Sequence, residues 1–354
     1  MTWVEVLPAR MLFVVGLIFC LAALALAFLF AQAALMGWLA AFVFVSALPL
    51  GALCLTMMMT IIPGVWREAL AGETESALLL LPLVLLASLP VLAGIPWIYG
   101  WAGAAHAAAF KGIFLTPGFF ALRTLLILAA ACVLAGILIV RRDSRMSAAL
   151  IGIIAFVPLH GLLATDWLVS LDTQFHSSGF GLYFLAGQML NALATLIVMR
   201  AAAGATKQLL AVLGALFLTA ILLWVYLAFM QYFIVWSGNL PQGVAWFQRR
   251  GAGLWAGIEH LIAILRLLPL FLLVFPPVRR SGRWLVCLSI CVLAGGLLEN
   301  IWLTLPALQT HLGLAVTACL TAVIGLTLLG LAILSRSAAM LARLRPTPSI
   351  EVRS

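Results

Sequence analysis

Long apolar runs recur along the whole sequence, and most are about as long as a helix that crosses a lipid bilayer. Such a helix needs about 20 predominantly apolar residues. Hydrophobic residues make up 66% of the chain and charged residues only 8%, whereas soluble domains carry about 25% charged residues. This composition favours lipid as the solvent and disfavours a very apolar soluble protein. We therefore expect an all-α polytopic membrane protein.

We predict ten transmembrane helices, numbered here as spans one to ten, in a single integral membrane domain over residues 1–354. Proline and glycine mark the breaks between the apolar runs because they end or interrupt helices. These breaks lie at Pro63-Gly64, Pro117-Gly118, Pro241 and Pro276-Pro277. The predicted spans cover residues 10–32, 38–61, 77–97, 119–140, 147–165, 179–200, 208–236, 253–276, 284–305 and 312–335.

The basic residues predict the orientation of these spans. Fourteen of the 19 lie at the N-terminus, in loops after even-numbered spans or in the tail: Arg10, Arg67, Arg141, Arg142, Arg145, Arg200, Lys207, Arg279, Arg280, Arg283, Arg336, Arg343, Arg345 and Arg353. The opposite side has Lys111, Arg123, Arg249 and Arg250. Cytoplasmic loops carry the excess of Lys and Arg, so both termini and the tail 337–354 are predicted to be cytoplasmic. The net charge of +9 is thus a topology signal, and it does not indicate a nucleic-acid partner.

The segment DWLVSLDTQFHSSGFGLYFLAGQ, residues 166–188, concentrates polar chemistry between two apolar runs. It holds two of the 10 acidic residues and one of the five histidines. Charged groups at membrane depth are expensive and tend to be functional. Asp166, Asp172 and His176 are therefore candidate site residues. The alternative for each aspartate is a structural role, in which its carboxylate accepts backbone N–H bonds at a helix end.

Polar residues within the predicted spans form a second group. Span five carries His160, span eight carries Glu259, His260 and Arg266, and span nine ends near Glu299. All except Arg266 are predicted to lie in the outer half of the membrane, and the spans offer nothing comparable in the cytoplasmic half. Such groups are expected to face the bundle interior and pair.

Two interpretations of this group stay open. Glu259, Glu299 and Arg266 are expected to form a carboxylate–guanidinium set that either locks spans eight and nine together or lines a proton path. His160 is either a buried histidine satisfied by one neighbour or, with Asp166, part of a quinol site. These two are six residues apart, so they do not share one helical face cleanly.

Smaller polar and glycine patterns predict helix contacts. Gln188 and Asn191 share one face of span six and are expected to make interhelical hydrogen bonds. Gly253 and Gly257 form a GxxxG pattern that predicts a close helix approach.

The six cysteines, all within apolar runs, do not form a cofactor-binding motif. None belongs to a CxxC or CxxCH sequence, so neither a c-type haem attachment nor an iron–sulfur ligand set is predicted. Small core residues are the expected role, and no covalently bound cofactor is expected.

Five stretches together resemble one family. They are GVWREALAGETESALLLLPLVLLASLPVLAGIPWIYGWA (64–102), FLTPGFFALRTLL (114–126), the 166–188 segment, WVYLAFMQYFIVWSGNLPQGVAWFQRR (224–250) and LLENIWLTLPAL (297–308). In this order they are similar to NrfD/PsrC-like membrane subunits, and in particular to the ActF-type subunit of alternative complex III, a bacterial quinol:cytochrome c oxidoreductase. The likeness covers residues 35–310, and YLAFMQYFIVWSGNLPQ is its most specific part.

The resemblance implies two four-helix bundles, spans two to five and spans six to nine, in a multi-pass protein of the bacterial inner membrane. It implies quinol or quinone as a non-covalent ligand, with haem and iron–sulfur clusters only in partner subunits. The implied partners are a related NrfD-like membrane subunit, an extrinsic iron–sulfur subunit, cytochrome c subunits and, in some complexes, a terminal oxidase. A quinol site or proton route is implied at Asp166, Asp172 and His176, and more loosely at Glu299.

Three functions follow as alternatives. The first is a subunit that contributes a quinol site or proton path in a respiratory quinol oxidoreductase. The second is a non-catalytic scaffold or proton-conducting subunit of the same complex. The third is a secondary transporter, a class in which broken helices and polar sites lie near the midplane. We expect polar groups to crowd the outer half instead, which disfavours the transporter.

Overall fold

A computed structural model describes residues 8–103, 114–141 and 144–344, and these residues confirm the predicted all-α membrane class. Within them, nine helices are long and apolar enough to span a membrane, and a bent helix pair raises the number to ten if it is one span. The helices are α1 (Ala9–Ala25), α2 (Ala31–Ile61), α3 (Val65–Leu78), α4 (Leu81–Ala93), α5 (Pro117–Val140), α6 (Arg145–Trp167), α7 (Phe180–Ala202), α8 (Lys207–Ser237), α9 (Pro241–Arg250), α10 (Gly253–Leu273), α11 (Gly282–Thr304), α12 (Leu312–Leu334) and α13 (Ser337–Leu344). Short helical turns cover Leu26–Phe28, Ile95–Ile98, Gly100–Gly103, Val169–Leu171, Pro276–Arg279 and Leu305–Ala307.

The third predicted span, residues 77–97, differs from the structure. It is a pair of helices, α3 and α4, bent by 45° at their junction. Pro82 explains the break, because it has no backbone N–H to bond the carbonyl of Leu78 and its ring clashes with that carbonyl. The span also begins earlier than predicted, at Val65, so a segment assigned to a polar loop is helical.

Eight of the spans form two rings of four helices. Ring one consists of α2, the α3–α4 pair, α5 and α6, and each member contacts the next until α6 closes on α2. Ring two consists of α7, α8, α10 and α11, and α11 closes on α7 in the same way. The rings meet where α2 packs against α7, while α1 and α12 pack outside the rings, against each other and α2. We call the two ends of the rings the α3 end and the α9 end, after the helices that lie there.

Small residues bring several helices close together. A side chain at Gly37 of α2 would overlap the carbonyl oxygen of Ala315 in α12, and one at Gly16 of α1 would come within 2.9 Å of the Gly325 carbonyl oxygen. Close van der Waals contact replaces the hydrophobic effect between helices in lipid. These glycines therefore let α1, α2 and α12 form one packed layer.

The predicted GxxxG contact at Gly253 and Gly257 is wrong among the described residues, since nothing lies within 4 Å of a Cβ built on either glycine. The motif faces away from the ring. Gly253 has a backbone φ of +56°, a left-handed value that favours glycine. Its role is thus to start α10 after a sharp turn.

Helix α1 begins and helix α12 ends at the α3 end. Ala9 and Arg10 at the start of α1 line one groove with Ile333 and Arg336 at the end of α12. Four basic residues used in the orientation argument lie outside the described residues: Lys111, Arg142, Arg345 and Arg353.

Cysteine labelling tests the predicted orientation. Thr173→Cys lies in the loop between α6 and α7 at the α9 end, and Ala203→Cys lies between α7 and α8 at the α3 end. In intact cells a membrane-impermeant maleimide should label the first and not the second, with the unsubstituted protein as background. The opposite pattern would show that the orientation read from the arginine bias is inverted.

Candidate functional site

Asp166, at the end of α6, is buried and pairs with an arginine of ring one. Both of its carboxylate oxygens accept bonds from Arg123 on α5, Oδ2 from Nε at 2.9 Å and Oδ1 from Nη2 at 2.7 Å. Arg123 also donates to the carbonyl of Phe114 at 3.0 Å, and its guanidinium lies 4.4 Å from the Phe119 ring centre. A two-pronged pair of this kind is among the stronger charge-assisted contacts. Asp166 is therefore a partner of Arg123 rather than a helix cap.

His160, one turn and a half earlier on α6, belongs to a separate hydrogen-bonded group. Its Nε2 lies 2.8 Å from Oε1 of Gln188 on α7, and the amide of Gln188 donates to Ser46 of α2 at 3.2 Å. Because the Gln188 oxygen accepts, Nε2 carries the proton in this arrangement. Among the described residues Nδ1 of His160 has no partner. The structure thus does not join His160 and Asp166 into the pair that a shared quinol site requires, because their side chains have different partners.

Asp172 and His176 lie in the loop between α6 and α7. Asp172 pairs with Arg249 of α9, and its Oδ1 accepts the backbone N–H of Gln174 at 3.1 Å. His176 is exposed, with its Nδ1 2.9 Å from the carbonyl oxygen of Gln174. These contacts order the loop and hold it to α9. They leave neither side chain in a cavity.

Ring two contains the expected carboxylate–guanidinium pair. Nη2 of Arg266 on α10 lies 2.6 Å from Oε2 of Glu299 on α11. The other oxygen, Oε1, accepts from Trp224 Nε1 at 2.9 Å and from the hydroxyl of Tyr183. The Arg266 guanidinium also stacks on Trp224, 4.2 Å from the ring centre. Four side chains from all four helices of the ring therefore converge on one buried point.

Glu259 and His260 are not part of that pair. Glu259 precedes Arg266 by seven residues, so it shares the face but lies about 10 Å away along the helix axis. Among the described residues it makes no hydrogen bond or ion pair. His260 is exposed and its Nδ1 lies 2.6 Å from the carbonyl oxygen of Ala256 in its own helix. Of the proposed three-residue set, only Arg266 and Glu299 meet.

A cavity of about 210 Å³ lies inside ring two beside this pair. Its walls come from α7, α8, α10 and α11, and its polar groups are the two carboxylates with Tyr183 and Gln231. Ser177 donates to Gln231 at 2.5 Å. Aromatic rings supply most of the remaining wall, namely Phe175, Phe180, Trp224, Tyr232, Trp246, Phe247 and Trp302. This combination of a mostly aromatic wall with a few converging polar groups is typical of a small-molecule site.

Helix α9 closes one end of the cavity. Trp246 stacks on Phe175, with ring centres 4.4 Å apart and planes 19° apart. Arg250 is buried beneath it and donates to the carbonyls of Trp302 at 3.3 Å and Leu303 at 3.2 Å. Burial lowers the pKa of Arg250 to about 9, while the charge of Asp172 opposes that shift. The side chain is thus cationic at neutral pH, where it favours the C-terminal carbonyls of α11.

The α3 end holds ion pairs that the sequence argument missed. Glu75 of α3 pairs with Arg145 of α6 at 3.1 Å, and Glu73 pairs with Arg200 of α7 at 3.5 Å. Helix α3 thereby ties ring one to ring two. These pairs were not predicted, because span three was predicted to begin at residue 77, after Glu73 and Glu75. The spacing of Glu68 and Glu75, two helical turns apart, was the available signal.

A second, much smaller void lies between the two polar groups. It holds about 10 Å³, close to one water molecule. Tyr183, Gln188, Asn191 and Glu299 line it, so it separates the carboxylate of ring two from the amide that bonds His160. Asn191 also accepts from Arg266 at 3.4 Å. The predicted interhelical roles of Gln188 and Asn191 are therefore present.

No cluster of three or more His, Cys, Asp or Glu side chains suited to a metal occurs within residues 8–103, 114–141 and 144–344. The scan against protein-family models finds no match, and a search of the curated proteins likewise finds no similar sequence.

The two aspartates of the 166–188 segment should differ sharply in their effect on stability. Asp166→Asn leaves Arg123 buried without its partner, which should lower the free energy of unfolding by about 3–5 kcal/mol. Asp172→Asn breaks a pair whose arginine side chain is 52% exposed, so the loss should stay within about 1 kcal/mol. Thermal unfolding of the purified protein in detergent measures both. Equal losses would contradict the assignment of Asp166 as the structural member.

Proposed function

We propose that this protein is an integral membrane subunit of a respiratory quinol:electron-acceptor oxidoreductase, and that the ring-two cavity receives the quinol headgroup. The observation that carries this proposal is the cavity itself, an aromatic chamber inside a membrane bundle with one paired and one unpaired carboxylate on its wall. The resemblance to NrfD/PsrC-like subunits of the ActF type supports the same reading. This proposal places the quinol site in ring two, whereas the sequence-based expectation placed it at the segment between α6 and α7.

The size and walls of the cavity suit a single substituted ring. A dry cavity of about 150 Å³ is known to hold benzene, and this one has about 210 Å³. Tryptophan and phenylalanine faces favour stacking of a planar ring. Helix α8 packs less extensively against α10 than against α7. Exposed Tyr232 and Glu259, one from each of these helices, line the cavity there, so a lipid-dissolved quinol has a lateral route to it.

The two carboxylates have different parts in the proposed chemistry. Oxidation of a quinol to a quinone releases two electrons and two protons. Glu299 already accepts from Tyr183, Trp224 and Arg266, so its part is to hold the wall in place. Glu259 is free of such bonds and can accept the two hydroxyl protons one after the other, if it releases the first to water before it takes the second. The electrons pass to haem or iron–sulfur groups of partner subunits, because the reaction needs an acceptor of that class.

The proposal includes the setting that the resemblance implies. The protein assembles in the bacterial inner membrane with a related NrfD-like subunit, an extrinsic iron–sulfur subunit and cytochrome c subunits, and in some organisms with a terminal oxidase. The loop between α6 and α7, fastened to α9 by the Asp172–Arg249 pair, lies beside the closed end of the cavity. It is the surface that we propose for the electron-accepting partner.

Replacement of Glu259 tests the proposed site. In the complex purified through a tag on this chain, Glu259→Gln should lower quinol turnover roughly 100-fold, as expected on loss of a general base. Glu68→Gln, an exposed carboxylate of α3, is the matched control and should leave turnover unchanged. The measurement is acceptor reduction with short-chain ubiquinol and menaquinol analogues. Equal turnover in both variants would exclude Glu259 as the proton acceptor.

A second candidate function is proton conduction in the same complex, with quinol handled by the sister subunit. The water-sized void between Glu299 and Gln188 supports it. Through that void, Glu259 and Glu299 in ring two could exchange protons with His160 in ring one. His160 has a free ring nitrogen among the described residues, and a histidine can both accept and donate a proton.

Gln188→Leu separates the two candidates. It removes the partner of His160 and a wall of the void, while Gln208→Leu makes the same exchange at the exposed start of α8. If protons cross by this route, Gln188→Leu in proteoliposomes should reduce the number of protons translocated per quinol oxidised and keep the oxidation rate within about twofold. The same proton number in both variants, by external acidification, would eliminate the route and leave the quinol site standing.

A further inference from the structure

A large void lies outside both rings, between the start of α1 and the end of α12. It is a groove of about 540 Å³. Its walls are almost entirely apolar, and Arg10 and Arg336 are the charged residues on its border. The apolar members are Ala9, Phe13, Val14, Ala332, Ile333 and Met340. The groove therefore combines an apolar part with two cationic residues at one end. We call the part formed by the apolar residues the trough, and the end at Arg10 and Arg336 the mouth.

The two arginines differ from those inside the rings. Arg123, Arg145, Arg200 and Arg266 each pair with a carboxylate. The side chains of Arg10 and Arg336 are exposed and make no ion pair with any acid among residues 8–103, 114–141 and 144–344. Two like charges on one rim repel unless an anion lies between them.

Their position along the helices puts this mouth at a membrane boundary. Arg10 is the second residue of α1, and Arg336 lies two residues after the last residue of α12. Both helices are long and apolar enough to span the bilayer. Arginines here lie at the level of lipid phosphates, whereas the trough below lies at the level of acyl chains.

We propose that this groove binds an anionic phospholipid, with its phosphate held between Arg10 and Arg336 and one acyl chain along Phe13, Val14 and Ile333. Guanidinium groups bind phosphate in a two-pronged manner that few other side chains match. A free phosphate ion would use the rim and leave the apolar trough uncovered, so the lipid fits the whole surface. The site is independent of the proposed quinol chemistry.

Lipid titration of the delipidated full-length protein tests the site. Native mass spectrometry should show tighter binding of phosphatidylglycerol than of phosphatidylcholine with the same acyl chains. The double variant Arg10→Gln, Arg336→Gln should weaken phosphatidylglycerol binding about 25-fold, since each basic residue near the headgroups contributes about fivefold. The control Arg280→Gln, Arg283→Gln removes two exposed arginines beside α11 and should change binding by less than about twofold.

A second variant keeps the charges and removes the space. Val14→Trp should fill the trough and reduce phosphatidylglycerol binding with both arginines present. Inorganic phosphate should not compete with the lipid at equal concentration. Equal binding of the two lipids, equal effects of the two double variants, or full competition by inorganic phosphate would each overturn the proposal.

Discussion

An arginine among membrane helices must find an anion, and this requirement positions the third and fourth helices of both rings. Arg123 pairs with Asp166 in ring one, and Arg266 pairs with Glu299 in ring two. A charge left alone at the bilayer centre costs about 2.5–3.5 kcal/mol by insertion scales, and breaking a buried pair costs more. Because lipid offers no hydrophobic drive for helix association, these pairs decide which helices become neighbours.

The two pairs lie at different depths in their rings. Arg123 lies less than two turns from the start of α5 at Pro117, so its pair with Asp166 lies near the α9 end of ring one, next to the buried ring of Trp167. Arg266 lies more than three turns from the start of α10, so its pair with Glu299 lies deeper in ring two. The aromatic cavity of ring two lies between that pair and α9.

The fold class could be predicted from the sequence because the apolar composition extends along the whole chain. Lipid as solvent requires long apolar helices, and their number follows from run lengths. Contacts were harder to predict. The pairing of Arg266 with Glu299 could be predicted because both residues stand out within adjacent spans. The partner of Asp166 was missed, because Arg123 had been used as a loop charge in the orientation argument.

The two polar helices, α3 and α9, were also not predicted from the sequence. Helix α3 is too polar for a hydropathy argument to find, although tertiary contacts bury Glu75 and most of one face. The same holds for α9, whose only long apolar groups are aromatic side chains and whose arginines suggested a loop. The sequence could identify individual polar side chains as candidates. The packing of α3 and α9 against the rings could be seen only in the structure. The ring-two cavity depends on that packing and was therefore not predicted.

The excess of basic over acidic residues is distributed by the same rule that builds the rings. With 19 basic and 10 acidic residues, the protein cannot give every arginine a carboxylate. Within the described ranges, five carboxylates pair with arginines, and Arg250, which no carboxylate contacts directly, bonds backbone carbonyls instead. The unpaired arginines lie at helix ends, where water or lipid phosphate can solvate them. Placing a charged arginine at such an end costs little free energy, because its head group stays solvated. Beside an apolar groove, the same arginine favours an anionic lipid over a neutral one in our proposal.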